Sequence, residues 1–224
     1  MRVVSATKGS TLRDSLSVSF TVGTYGIAFG AASVAAGFTV LQSCLLSLLT
    51  FSGASQFALI GVLGSGGSPV SAIAAASLLG IRNGLYGMRM APILKVKGVK
   101  RLLAAHITID ESTGVALSQE SRGEEAMRRG FWATGWGVFI FWNIFTLAGA
   151  LGAQALGTPA TWGLDAAVPA AFLGLLWPRL DSLRTRCLAL SAIALALLLT
   201  PIAPAGIPII ATTALALIFG LVRR

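Results

Sequence analysis

The chain has 224 residues, 55% hydrophobic and only 11% charged, against roughly 25% charged in an ordinary soluble domain. Its net charge is +9, but no aromatic residues are interleaved with the basic clusters, which argues against a nucleic-acid partner. The composition excludes a soluble enzyme, a disordered chain and a secreted disulfide scaffold, and gives an all-α, polytopic integral membrane protein.

Runs without a charged side chain extend over Ser15–Ile81, Gly130–Leu164, Ala166–Pro178 and Cys187–Val222. A spanning helix takes about 20 apolar residues, so these runs hold about seven hydrophobic segments, some short, broken or re-entrant. The first predicted helix is Leu16–Ala36. Within it Gly26 and Gly30 are spaced for close approach of another helix. The second is Leu41–Leu63, broken near Ser52–Gln56. After a Gly/Ser/Pro turn at Gly64–Pro69, the third is Val70–Leu94, interrupted at Gly80–Gly84, where Gly80 and Gly84 repeat the packing spacing. Leu102–Ser118 is apolar at both ends, with His106, Asp110 and Glu111 between. Phe131–Ala155 is a span rich in aromatics. Leu164–Pro178 is short, with Asp165 and Pro169 inside. Leu188–Ile202 and Ile207–Val222 form a closing hairpin.

Every Lys and Arg except Arg82 falls in one of five clusters, at 2–13, 89–101, 122–129, 179–186 and 223–224. Basic loops face the cytoplasm, which gives the C-terminal half four crossings and both termini a cytoplasmic position in the cell membrane. The N-terminal half has three apolar segments between two basic stretches. Either one segment is re-entrant, or a basic loop faces outward and Leu102–Ser118 crosses back. Leu41–Leu63 is the better candidate for the irregular segment. Non-helical backbone at membrane depth is tolerated only inside protein or beside a water-filled cavity. The chain reads as one transporter domain, 1–224, with halves 14–118 and 126–224. A weak internal two-fold echo sets Phe29–Gly37 against Gly149–Gly157, and the Gln56 region against the Pro169 region. Paired interrupted segments of this kind point to a transport site. The polar start shows no cleavable-signal pattern.

Charges at membrane depth are costly and mark function or pairing. Arg82 either holds an anion such as a substrate carboxylate or pairs with Asp110, Glu111 or Asp165. Asp110 and Glu111, adjacent on a helix, point to different faces. One is a candidate for proton coupling, with Asp165 a further candidate. The alternative is an ordinary helix start at the cytoplasmic surface. Gly53, Ala54, Ser55 and Gln56 offer backbone groups, a hydroxyl and an amide at a helix break, where exposed helix ends suit an amino acid zwitterion. Tyr86, Trp136 and Trp142 are pocket aromatics or interface anchors, with anchoring the simpler reading. Asn143 and Gln154 read as interhelical hydrogen-bonding residues, and Cys44 and Cys187 as packing residues. No metal or cofactor motif, phosphate-binding loop, HExxH or GxSxG is present, so the chain is not expected to be an enzyme.

Tyr25-Gly26-Ile27-Ala28-Phe29-Gly30 with Ala36-Gly37, Phe51-Ser52-Gly53-Ala54-Ser55-Gln56-Phe57, Arg82 through Leu85-Tyr86-Gly87 to Ala91-Pro92, and Asp110-Glu111 follow one another in a familiar order. The chain resembles the AzlC family, the large subunits of branched-chain amino acid exporters. Asn83 departs from that pattern, standing where the family usually has His. The resemblance implies export of valine, leucine, isoleucine and methionine, a small AzlD-type membrane subunit as partner, and a bacterial or archaeal inner membrane. A proton-motive-force-driven secondary transporter is the expectation. A non-transporting scaffold or regulatory subunit, and a passive small-solute channel, are the competing classes.

Overall fold

The computed structural model describes residues 8–156, 170, 173, 174, 176, 177 and 180–221. Among them the secondary structure is entirely helical. The helices are α1 (Lys8–Gly23), α2 (Tyr25–Ala35), α3 (Val40–Leu49), α4 (Ala54–Gly64), α5 (Pro69–Leu94), α6 (Val99–His106), α7 (Asp110–Ser118), α8 (Glu124–Ala155), α9 (Leu183–Leu199) and α10 (Ile207–Leu221). Two stretches are long and apolar enough to cross a membrane, Thr11–Ala35 and Glu124–Ala155. Shorter apolar helices accompany them at Val40–Leu49, Ala54–Gly64 and Ile207–Gly220. This is a helical membrane protein.

α1 and α2 run on almost as one rod through Thr24. Its N–H donates to the Phe20 carbonyl at 3.1 Å, its carbonyl accepts from Ile27 at 3.0 Å, and its hydroxyl donates to the Thr21 carbonyl at 2.6 Å. Hydroxyl back-bonding of this kind bends helices without ending them. α8 lies along this rod, and small residues set the distance. A Cβ built on Gly26 would strike the Trp142 carbonyl oxygen, and one on Gly30 the Thr146 carbonyl oxygen. One on Gly149 would strike the Ile27 carbonyl oxygen. The two backbones therefore touch, and only hydrogen fits between them. A hydroxyl reinforces the seam, with Ser19 donating to the Thr134 carbonyl at 3.3 Å, and α3 joins α8 beside it through Ser47, which donates to the Thr146 hydroxyl at 3.4 Å.

α3 starts at Thr39, whose side chain accepts from the Gln42 N–H while the Gln42 side chain accepts from the Thr39 N–H. This reciprocal cap fixes the entry from Gly37, which sits at φ +92. α3 and α4, of 10 and 11 residues, each measure roughly 15–17 Å, about half of the ~30 Å hydrocarbon core. The break between them, Thr50–Gly53, lies beside the buried cluster of Phe29, Phe51, Phe57, Ile60, Ile109, Val138 and Trp142. α5 begins at the Ser68 cap with Pro69 in its first turn, where the missing N–H costs nothing. α6 and α7 are separated by a second break at Ile107–Ile109.

Three expectations change and one open alternative is resolved into elements. The helix break in the second segment falls at Thr50–Gly53, so Ser55 and Gln56 already belong to α4. The third segment is not interrupted at Gly80–Gly84, because α5 is one helix of 26 residues. Glycine lowers helix propensity by only about 1 kcal/mol per residue, too little to break a packed helix. Leu102–Ser118, which the sequence leaves open between a crossing and none, falls in two short helices, α6 and α7. Asn143 Nδ2 donates to the Phe139 carbonyl of its own helix at 2.8 Å, not across to another. Asp165 and Pro169, with most of Leu164–Pro178, lie outside the described residues.

Candidate functional site

The first break is built around Gly53. Its φ of +64 lies in the region that favours glycine. Gln56 holds the break closed. Its Oε1 accepts from the Gly53 N–H at 3.2 Å, and its Nε2 faces the Leu46 and Ser47 carbonyls at 3.4 and 3.3 Å. The Ser47 carbonyl at the end of α3 and the Gly53 N–H at the start of α4 thus share one buried amide, which meets the demand that buried backbone groups be paired.

The second break is organised by Ser112. Its hydroxyl accepts from the Ile109 N–H at 3.0 Å and donates to the Ile107 carbonyl at 2.8 Å. This places Asp110 and Glu111 in the first turn of α7, at the positive end of the helix dipole.

Arg82, midway along α5, joins the two breaks. Nη1 donates to Asp110 Oδ2 at 2.9 Å and Nη2 to the Ser52 carbonyl at 3.2 Å. The planar fork suits this double grip, which a lysine ammonium does not reproduce. The side chains of Arg82 and Asp110 are 28% and 18% exposed, so the pair is only partly desolvated.

Beside this pair opens a cavity of about 270 Å³, at the small end of ligand sites, which run from about 300 to 1,000 Å³. Its apolar wall includes Val22, Phe51, Phe57, Leu79, Ile109 and Val138, and its polar groups come from Tyr25, Ser52, Arg82, Asp110, Glu111 and Trp142. Ser52 Oγ, Arg82 Nε and Trp142 Nε1 are buried and have no hydrogen-bond partner among the described residues. A second cavity of about 430 Å³ shares Phe51 and Ser52 with the first, and includes Ser55, Ser77, Gly80 and His106. The Phe51 ring is held between His106 and Phe139, at centroid distances of 6.2 and 5.1 Å. Phe51 and Ser52 thus form the wall between two chambers. A small zwitterion suits the first: apolar surface for a hydrocarbon side chain, donors for a carboxylate, and carboxylates for an ammonium.

A family model described as AzlC protein matches residues 17–156. The chain belongs to the AzlC family. It is also 29% identical over 194 residues to the inner membrane protein YgaZ of Escherichia coli K12, covering 82% of this chain and 77% of that one. No solved structure matches it.

In this AzlC-family chain the residues singled out from sequence divide by position. Gly53, Ala54, Arg82, Asp110 and Glu111 line the first cavity, and Ser55 lines the second. Asp110 and Glu111 share the cavity despite being neighbours, because both sit at the open first turn of α7. Gln56 stands behind the wall as the staple of the break. Tyr86, half-buried one turn beyond Arg82, is not among the residues lining either cavity. Gly26 and Gly30 meet α8, Gly80 stands at ordinary contact with Ser55 Oγ, and Gly84 faces open space. Asp165 lies outside the described residues. Trp142 is the residue that sequence reasoning placed at the membrane interface. It is 4% exposed and lines the cavity. Its position midway along Phe131–Ala155, far from either end, was the available signal, since interface anchors cluster at helix ends.

Proposed function

We propose that this protein is the large subunit of a secondary transporter that exports branched-chain and other small neutral amino acids: valine, leucine, isoleucine and methionine. It works with a small AzlD-type membrane subunit in a bacterial or archaeal inner membrane, driven by the proton motive force. The observation that carries the reading is the Arg82–Asp110 pair bridging two helix breaks at the edge of a mostly apolar cavity. Membership of the AzlC family and the similarity to YgaZ support it.

Ionised Asp110 can exchange its Arg82 partner for the substrate ammonium while Arg82 takes the substrate carboxylate. Protonation of Asp110 removes the charge that holds the ammonium and releases the substrate. Substrate and proton thereby compete for the same carboxylate, which couples inward proton movement to export. Arg82 and Asp110 carry coupling, Glu111 faces the ammonium, and Gly53 and Ala54 form the floor of the substrate path.

The test is efflux from cells preloaded with labelled leucine, valine, methionine and, as control, lysine. Saturable, uncoupler-sensitive efflux of the neutral amino acids, dependent on the small subunit, is expected. Efflux that is unsaturable and insensitive to uncoupler would instead mark a passive channel, and no efflux above background would favour a non-transporting subunit.

A further inference from the structure

We propose that the indole N–H of Trp142 donates a hydrogen bond to the carboxylate of the transported amino acid. Trp142 is thus a substrate-binding residue of the first cavity. The proposal rests on the export reading above and adds the residue that recognises the carboxylate.

Trp142 is held in place by its neighbours. Its carbonyl oxygen packs where a Gly26 side chain would otherwise stand. Its ring stacks on Phe29 at 6.1 Å and meets the edge of Phe57 at 6.3 Å. The ring tip reaches towards Gly53, with Cη2 lying 3.8 Å from where a Cβ would stand. The indole is therefore not free to turn its N–H towards water. Yet Nε1 is buried without a partner among the described residues, and the residue is a wall of the cavity. A tryptophan N–H is a donor only, and buried donors are almost always satisfied. An acceptor supplied by a ligand restores the missing bond.

The neighbouring groups identify that ligand. Arg82 Nε faces the same shortage of an acceptor, while its two terminal nitrogens are engaged by Asp110 and the Ser52 carbonyl. Two donors, one of them cationic, therefore line a cavity that also holds Asp110 and Glu111. A ligand with an anionic acceptor and a cationic group close together meets the two donors and matches the negative charge that Asp110 and Glu111 give the cavity. The α-carboxylate and α-ammonium of an amino acid have that arrangement. Trp142 takes the carboxylate, because it can only donate.

The experiment uses the full chain co-reconstituted with its small subunit in proteoliposomes, with L-leucine as substrate and L-leucinol, which lacks the carboxylate, as competitor. Trp142→Phe keeps an aromatic ring and removes the N–H. Its half-saturation concentration for leucine counterflow should rise about tenfold, the equivalent of ~1.4 kcal/mol. The maximal rate and the inhibition by leucinol should stay near wild type. Should Trp142→Phe not be recovered from membranes, the benzothienyl isostere of tryptophan placed at 142 keeps the ring shape and deletes only the N–H. Unchanged leucine half-saturation, or equal weakening of leucine and leucinol, would overturn the proposal. Failure of the wild-type protein to exchange leucine at all would overturn the export reading and this proposal together, so the two failures are separable.

Discussion

Arg82 Nη1 lies 2.9 Å from Asp110 Oδ2, and this one contact ties the middle of α5 to the first residue of α7. The second arm of the same guanidinium reaches the Ser52 carbonyl in the other break. Phe51 of the first break and Ile109 of the second also share one buried apolar cluster, and the guanidinium adds the polar link between the breaks. With side chains 28% and 18% exposed the pair is partly buried, so that each charge needs the other.

Removing one member should therefore cost more than removing both. Arg82→Gln leaves a carboxylate without its counter-charge and is expected to lower stability by roughly 1–3 kcal/mol. Arg82→Gln combined with Asp110→Asn should recover much of that loss, while transport stays abolished. Thermal unfolding of the purified single and double variants in detergent measures the cycle. A double variant no more stable than the single would show that the pair does not hold the breaks.

Gly53 should resist substitution for reasons of backbone, not of space. The nearest atom to an added Cβ is 3.8 Å away, so an alanine fits, but at φ +64 and ψ −91 it is held in a sparsely populated backbone region at a cost of roughly 1–3 kcal/mol. Gly53→Ala should lower both thermal stability and export. Gly53→Asn should be no milder, since asparagine tolerates the αL region and ψ −91 lies outside it. Wild-type stability in either variant would contradict this account.

Gln56 is expected to act on stability before transport. Gln56→Ala leaves backbone groups at Gly53 and Ser47 short of partners, at a cost of roughly 1–3 kcal/mol each. Gln56→Glu should do no better, because a carboxylate cannot donate to carbonyls. Both should show as reduced abundance in membranes, read by quantitative immunoblot. Normal abundance with lost export would move Gln56 back into the substrate path.

Two glycine pairs with the same spacing should behave oppositely. Gly30→Val drives a side chain into the Thr146 carbonyl and should cost upward of ~2 kcal/mol through overpacking. Gly84→Ala meets open space and should be neutral, or gain roughly 0.5–1 kcal/mol from helix propensity. Melting temperatures of the two variants decide the matter.

That contrast also shows how far the sequence could be read. Charge scarcity and the apolar runs state the membrane class outright, because lipid imposes composition. The Gly53–Gln56 stretch announces a break, because glycine and small polar residues inside an apolar run rarely serve anything else. It does not announce that Gln56 seals the break while Gly53 and Ala54 face the cavity. One residue of offset reverses the roles, and only tertiary contacts fix it. Spacing likewise cannot separate Gly26 and Gly30, which face a helix over a hundred residues away, from Gly84, which faces open space. Arg82 had three acidic residues as candidate partners. The choice of Asp110 comes from the position of α7, which hydropathy alone does not give. Trp142 is legible as a pocket aromatic or an interface anchor, and anchoring is the simpler reading because a tryptophan in a membrane span so often serves that way.

The most direct measurement of the central claim separates exchange from driven transport in Asp110→Asn. Asparagine keeps an acceptor for Arg82 but cannot take up or release a proton at this position. In proteoliposomes containing the small subunit, the variant should retain leucine counterflow and lose leucine accumulation driven by an imposed pH gradient. Gradient-driven accumulation at the wild-type rate would contradict the assignment of Asp110 as the coupling group.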